Sequence, residues 1–360
     1  MRTPYVLLLL TYACKASPEP AGELAPTPSP GGVAAPSLAR PDEPFLQNVR
    51  QLTHGGENAE AYFSVDGQEL ILQSTRDDLA CDQIFRMKAD GSDVRQVSVG
   101  KGRTTCSYIQ IDGSILYAST HAHGEGCLWK PDHSQGYVWP IYPEMDLWRA
   151  DANGQNARLL SQSAGYDAEA TVCPKDGRIV FTSTRDGDLE LYVMDQDGKD
   201  VRRLTHTPGY DGGAFFSADC SKIVWRASRP SGEALADYQR LLGKNLVRPS
   251  ALELYVMDAD GKNVVQLTHN GAANFGPYMH PSNQFVIFAS NVGDPKGRNF
   301  DLYTVPISGG ELTRITTEPS FDGFPMFSHD GKRLVFASNR NNQKEGETNV
   351  FIADWAGPGR

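Results

Sequence analysis

Short apolar, β-branched runs recur along most of this chain, each bounded by residues that favour turns. Arg178 to Thr182, Lys222 to Trp225, Phe285 to Ala289 and Arg333 to Ala337 are such runs, and Asp-Gly, Asp-Cys or Ser-Asn pairs precede them. A second apolar run follows, as in Leu191 to Met194, Leu254 to Met257 and Leu302 to Val305. After it come a turn and a polar stretch ending in Leu-Thr or Ile-Thr. The pattern predicts four β-strands per unit.

The units repeat. Asp66-Gly67, Asp112-Gly113, Asp176-Gly177, Asp219-Cys220, Ser282-Asn283 and Asp330-Gly331 mark six copies, spaced roughly 43–48 residues apart or that distance plus an insertion. Such a period predicts an all-β chain folded as a six-bladed β-propeller of four-stranded blades. Asn48 to Thr53 reads as an outer strand without inner strands, and Val350 to Asp354 as a third strand without an outer partner. The N-terminal strand is therefore expected to complete the last blade, which closes the ring and removes exposed edges.

The Asp-Gly, Ser-x-Arg, Leu-Tyr-Val-Met-Asp and Leu-Thr series resembles the WD-like repeat of the TolB-like β-propeller family, from about Phe45 to Trp355. The resemblance implies the fold, and it implies a periplasmic module that binds a protein or peptide. It stops short of the separate N-terminal α/β domain of TolB itself. The same repeat also occurs in protease-gating propellers and sugar-processing enzymes, so fold alone does not choose a function.

Ahead of the repeats, Arg2 and an apolar run from Tyr5 to Ala13 read as an export signal over residues 1–13. That run is far shorter than the ~20 residues of a membrane-spanning helix. Cys14 follows a small residue, as in the lipobox of bacterial lipoproteins, and is the expected lipidation site. Residues 14–44 are rich in Pro, Ala, Gly and Ser and read as a disordered tether, leaving residues 45–356 for the propeller. The expected location is the periplasm or the outer membrane, with any membrane contact made through the lipid, and the expected state is a monomer. A net charge of −10 over 360 residues argues against nucleic-acid binding and favours basic partners.

Glu57, Asn58, Glu60, Asp167, Glu169, Asp211, Asn274 and Asp322 stand where the chain enters the first strand of a blade. They would form an acidic channel mouth for a cation or a basic peptide, or else bond the backbone of the innermost strands. The second blade carries an insertion, His121 to Met145, in which Trp129, Tyr137 and Trp139 suit a binding loop. Within it, His121, His123, Cys127 and His133 have the donor types for a divalent metal such as zinc, though not a standard spacing. A second insertion, Pro230 to Leu252, predicts a short helix with Ser231 as N-cap and Gly243 as stop. The Asp-x-Asp-Gly and Asp-x-Asn-Gly segments read as hairpin turns rather than calcium loops, and the recurring Arg76, Arg185, Arg229 and Arg340 as structural.

Beyond Cys14, five cysteines leave room for two disulfides and one free thiol; Cys81 with Cys106, on neighbouring blades, is the pair expected. No Gly-x-Ser-x-Gly, His-Glu-x-x-His, phosphate-loop or dinucleotide fingerprint occurs. A non-enzymatic envelope module that binds a protein or peptide is the leading expectation. A metal-assisted lyase or hydrolase acting on saccharides or peptides at the channel is the alternative.

Overall fold

The computed structural model describes residues 37–134 and 136–358. The export signal, Cys14 and most of the tether lie outside these residues. Six four-stranded sheets form, each antiparallel and each one blade. The first strands are Glu57–Phe63, Thr104–Ile109, Asp167–Val172, Asp211–Phe216, Asn274–Met279 and Asp322–Phe327. Blades 1 to 5 run outward in chain order. Blade 6 joins Asp322–Phe327, Arg333–Ser338 and Asn349–Trp355 to the N-terminal strand Leu46–Gln51, with Leu46 opposite Trp355 and Gln51 opposite Phe351. This is the closure that the unpaired end strands predict.

The repeat residues have mechanical roles. Where the third and fourth strands part, a Thr hydroxyl replaces the next backbone carbonyl. The amides of Leu191, Leu254, Leu302 and Val350 donate to Thr205, Thr268, Thr316 and Thr53 Oγ1 at 2.8–2.9 Å. In blade 1, where Val97-Ser98 stands for Leu-Thr, Ser98 Oγ accepts from Ile84. The Ser-x-Arg element folds a guanidinium back onto the residue that opens the first strand. Arg185 holds Asp167, Arg229 holds Asp211 through two bonds of 2.7 and 2.9 Å, Arg340 holds Asp322, and Arg76 holds Asn58. Each clamp pairs a buried carboxylate or amide oxygen with a guanidinium donor, as burial of such groups requires.

The ring is strapped as well as closed. Leu38 to Glu43, read from sequence as the end of the tether, contact blade 6 and the loop that leads into it. Leu38 N donates to Val49 O, Asp42 accepts from Thr317 Oγ1, and Arg40 pairs with Glu318. Glu43 is fully buried; it accepts from Thr317 N and pairs with Arg340, which also pairs with Asp322. The composition of the tether hides this, because the anchor is made by polar contacts of Arg40, Asp42 and Glu43 rather than by an apolar run.

The disulfides are Cys81–Cys127 and Cys173–Cys220, which corrects the expected Cys81–Cys106 pair. Cys106 is free: it lines the recess on the propeller axis, and Cys81 is taken by Cys127 from the first insertion. The second insertion contains the predicted helix, Gly232–Leu242, with Ser231 at its N-cap position and Gly243 at its C-cap. The first insertion runs across the same face. Trp139–Pro140 pairs antiparallel with Leu246–Val247, so the two insertions form one cap.

Arg340→Ala would leave buried Asp322 without a cation and Glu43 with Arg40 alone, 4.0 Å away, and is expected to lower stability by about 3–5 kcal/mol. Denaturant-induced unfolding of variant and wild type, followed by tryptophan fluorescence, checks this.

Candidate functional site

Each first strand carries a bulge at the same place. The pairing with the second strand slips between Ala59 and Tyr62, Thr105 and Tyr108, Ala168 and Thr171, Gly212 and Phe215, Phe275 and Tyr278, and Gly323 and Met326. Within the six slips, Glu60, Cys106, Glu169, Gly213, Gly276 and Phe324 have φ between 51° and 58°. That region disfavours side chains other than glycine, by roughly 1–2 kcal/mol per residue, and is tolerated where surrounding structure imposes it. A bulge re-aims its side chain, and these six together line a recess on the axis.

Below that ring the channel is filled. Tyr62, Tyr108, Phe215 and Tyr278, two residues beyond the bulge in their strands, are all buried. The Tyr62 ring meets Phe215, on the opposite blade, at 5.3 Å between centroids. Tyr108 and Tyr278 pack beside them at 5.9 and 5.5 Å. Above the ring, the cap leaves a cavity of about 850 Å³. It is a blind funnel, closed along the axis by those four aromatic rings.

Its walls are aromatic: Tyr137, Trp139, Tyr142, Tyr166, Phe275 and Phe300 all line it. Trp139 lies 5.1 Å from Phe275, and Ile141, Tyr238, Val247 and Leu252 share the apolar cluster beneath the cap. The Cys81–Cys127 disulfide fastens the first insertion to blade 1. Trp129 and Tyr137 remain 45% and 66% exposed at the rim.

The floor is charged. Arg226 Nη2 pairs with Glu169 and donates to Tyr210 Oη at 2.8 Å, and the guanidinium lies 5.5–5.7 Å from the ring centroids of Tyr210, Trp139 and Phe275. Glu169 accepts further bonds from Thr182 Oγ1, Tyr210 Oη and Gly213 N. The strand has room for this cluster because of glycine: a Cβ on Gly213 would stand 1.9 Å from Arg226 Nη1. Asp82 lies 3.5 Å from Arg103. Among the described residues Glu60 has no such cation within 4 Å; the Tyr62 hydroxyl approaches it at 3.5 Å. Burial first, and then the charge of Glu169, push the Glu60 carboxyl up to about 7. The same two causes, burial and then the Glu60 and Glu169 carboxylates, hold the Cys106 thiol well above its ordinary value.

Of the eight channel-mouth residues singled out in the sequence, only Glu60 and Glu169 line the cavity, and Asn58 is buried under Arg76. Asp167, Asp211, Asn274 and Asp322 are buried and spend their oxygens or amide on structure: Arg185, Arg229 with Trp225 Nε1, Leu252 O, and Arg340 respectively. Glu57 is exposed at the strand's start. Tyr137 and Trp139 line the cavity, while Trp129 packs edge-on against Tyr142 at the rim.

The proposed metal ligands do not converge. Cys127 is in a disulfide and offers no thiolate. His121 takes the place of the clamp arginine in blade 2, with Nδ1 2.8 Å from Ser119 Oγ and its ring on Trp148. His123 Nε2 lies 3.0 Å from Asp146, and His133 stacks on Tyr137. Among the described residues the cluster of metal-ligating side chain types is Cys173, Asp176 and Cys220, and its two cysteines are joined to each other.

Residues not anticipated are Cys106, Tyr166, Tyr210, Arg226, Phe275 and Phe300. Two signals pointed to some of them. Tyr166, Tyr210 and Phe321 each stand directly before the Asp that opens a blade, and Cys106 occupies the position of Glu60 and Glu169 in its own repeat.

No protein-family model matches the chain. The Tol-Pal system protein TolB of Francisella tularensis subsp. holarctica is 31% identical over 107 residues, which are 29% of this chain and 23% of that protein. An uncharacterized protein of Agrobacterium fabrum is 29% identical over 92 residues, 26% of this chain and 30% of the other. The matched part thus spans under a third of either relative. TolB from Acinetobacter baumannii superposes with a TM-score of 0.55 at 15% identity, covering 84% of this chain and 64% of that one. A structure assigned to TolB from Agrobacterium tumefaciens gives 0.54 at 17% identity, covering 83% and 91%. This chain is a six-bladed β-propeller related to TolB-like proteins. The relation holds at low identity and over part of the sequence, and the structural likeness carries the fold.

Because the Glu60 carboxylate adds to the burial of Cys106, native Cys106 is expected to be alkylated slowly at pH 8, and faster in Glu60→Gln. Peptide mapping after timed iodoacetamide treatment, with denatured protein as the fast reference, checks this.

Proposed function

We propose that this chain is a non-enzymatic, TolB-type module of the bacterial cell envelope that recognises a protein or peptide partner at its capped channel mouth. The observation that carries this reading is the blind, aromatic-walled cavity beneath the cap, with Trp129 and Tyr137 exposed at its rim. Large rigid aromatics give contact area with little loss of side-chain entropy, and pockets of roughly 300–1,000 Å³ are the usual size for binding a compact group. The relatives named for the Tol-Pal system add a precedent for such a module among envelope assemblies. An export signal, lipidation at Cys14 and a tether would place the propeller in the periplasm, held to a membrane by lipid.

A metal-assisted lyase or hydrolase would have drawn its metal from His121, His123, Cys127 and His133. With Cys127 in a disulfide and His121 serving as a strand clamp, that set gives the enzymatic reading no support.

A photo-crosslinking residue at Tyr137, in cells that express the full chain, is expected to give a discrete protein adduct. The adduct should fall at least fivefold with Trp139→Ala, and the same residue at Val65, on the far face, should not give it. Equal adducts from both faces would remove the capped mouth as the binding site.

A further inference from the structure

We propose that the floor of the cavity seats one positively charged end group, an ammonium or a guanidinium, against the Glu60 carboxylate. This rests on the reading of the capped mouth as a binding site and narrows what enters it.

The first reason is shape. Tyr62 meets Phe215 across the axis, so nothing can thread the propeller from this face, and a ligand must present an end. A side chain, a chain terminus or a small molecule fits; a through-running segment does not.

The second reason is charge. The groups facing Glu60 are Glu169, Asp82, Arg226, Cys106 and Tyr62. Arg226 is taken up by Glu169, and Arg103 stands beside Asp82. With those pairs matched, Glu60 is the floor carboxylate that has no cation within 4 Å among the described residues. Its repulsion from Glu169 in a water-poor recess is what a bound cation would relieve.

The third reason is that the walls already hold such a group. Arg226 sits among Tyr210, Trp139 and Phe275, at distances where aromatic faces attract cations. Gly276 brings no side chain to the ring of bulge residues, and Phe324 packs against it, so Glu60, Cys106 and Glu169 are the bulge residues that bring polar groups to the floor.

The seat is charged only when Glu60 is ionised. Since its carboxyl titrates at about 7, binding should tighten as pH rises from 6 to 8, by about tenfold from the ionised fraction alone.

The test uses the full chain and calorimetric titration with two pairs of probes. One pair is butylguanidinium and its neutral counterpart butylurea. The other is a blocked pentapeptide with a central arginine and the same peptide with norleucine. The cationic member of at least one pair is expected to bind at least tenfold tighter at pH 8, with the preference weakening toward pH 6 and lost in Glu60→Gln. Preference in the peptide pair alone identifies a polypeptide side chain as the source, and preference in both pairs a free cationic group. No preference in either pair, or one that survives Glu60→Gln, overturns the proposal. Glu60→Gln is isosteric and its thermal unfolding reports whether it folds; if it does not, the wild-type pH profile decides. The Tyr137 adduct separates the two readings. An adduct without cation preference refutes the charged seat alone, and loss of the adduct itself refutes the binding site.

Discussion

A bulge in the first strand of every blade, with one residue held at φ of 51° to 58°, decides which side chains face the axis. In a regular strand, side chains alternate between the faces of the sheet and do not point along its inner edge. The bulge turns one residue out of that alternation toward the axis. Six blades repeat the distortion, but the residues that occupy it differ: two glutamates, a cysteine, two glycines and a phenylalanine. The scaffold thus supplies a fixed geometry, and sequence divergence at a single register supplies the chemistry. The asymmetry of the floor comes from there. Gly213 lets the neighbouring strand's Arg226 into the recess, and Glu169 on the adjacent blade receives it.

Two classes of buried acid coexist a few residues apart and do different things. Asp167, Asp211 and Asp322 open their strands, are fully buried, and each meets an arginine from the end of the second strand. Burying a carboxylate is strongly unfavourable without a partner, so these pairs bind each blade's inner hairpin together at its channel end. Blades 2 and 5 use neutral versions: Thr104 bonds to Ser119 beside His121, and Asn274 donates to Leu252 O. Blade 6 goes further, adding Glu43 from the N-terminal strap to the Arg340–Asp322 pair. The strap and the closing strand are therefore tied to the same clamp, and the joint where the ring closes is fixed by charge as well as by backbone hydrogen bonds.

The fold was legible because its rules are local and repeated. Turn dipeptides, apolar alternation and Leu-Thr endings each reflect a contact made within one blade, such as the Thr205 hydroxyl on Leu191 N. The strand pairing of blade 6 followed from counting unpaired strands, and the helix Gly232–Leu242 from apolar spacing and flanking residues. The site was legible only in part. Reading acids near the strand starts found Glu60 and Glu169, but also took in Asp167, Asp211, Asn274 and Asp322, because a two-residue difference in register separates a clamp from a channel residue. A bulge has no strong composition signal, so the inversion it causes cannot be read from alternation. His121 looked like half of a His-x-His pair, and only alignment with Arg76, Arg185 and Arg340 at the same blade position reveals it as a clamp substitute.

What makes this propeller more than its repeat is the joining of its two insertions. Each alone is a loop of ordinary polarity, and nothing in either sequence names the other as its partner. Pairing of Trp139–Pro140 with Leu246–Val247 satisfies backbone groups that a free loop would leave to water, and it draws Trp139 over Phe275 on blade 5. Leu189 and Tyr210, from the propeller itself, complete the apolar cluster beneath. The cap is thus anchored at three places: by the disulfide to blade 1, by the cluster to blades 3 and 4, and by the tryptophan to blade 5. A cap held this way is a rigid wall rather than a swinging lid. The aromatic plug below is equally fixed, since its four rings pack against one another from four different blades. With both ends rigid, the free energy of ordering the site is already met in folding, and a ligand's contacts go into affinity and discrimination.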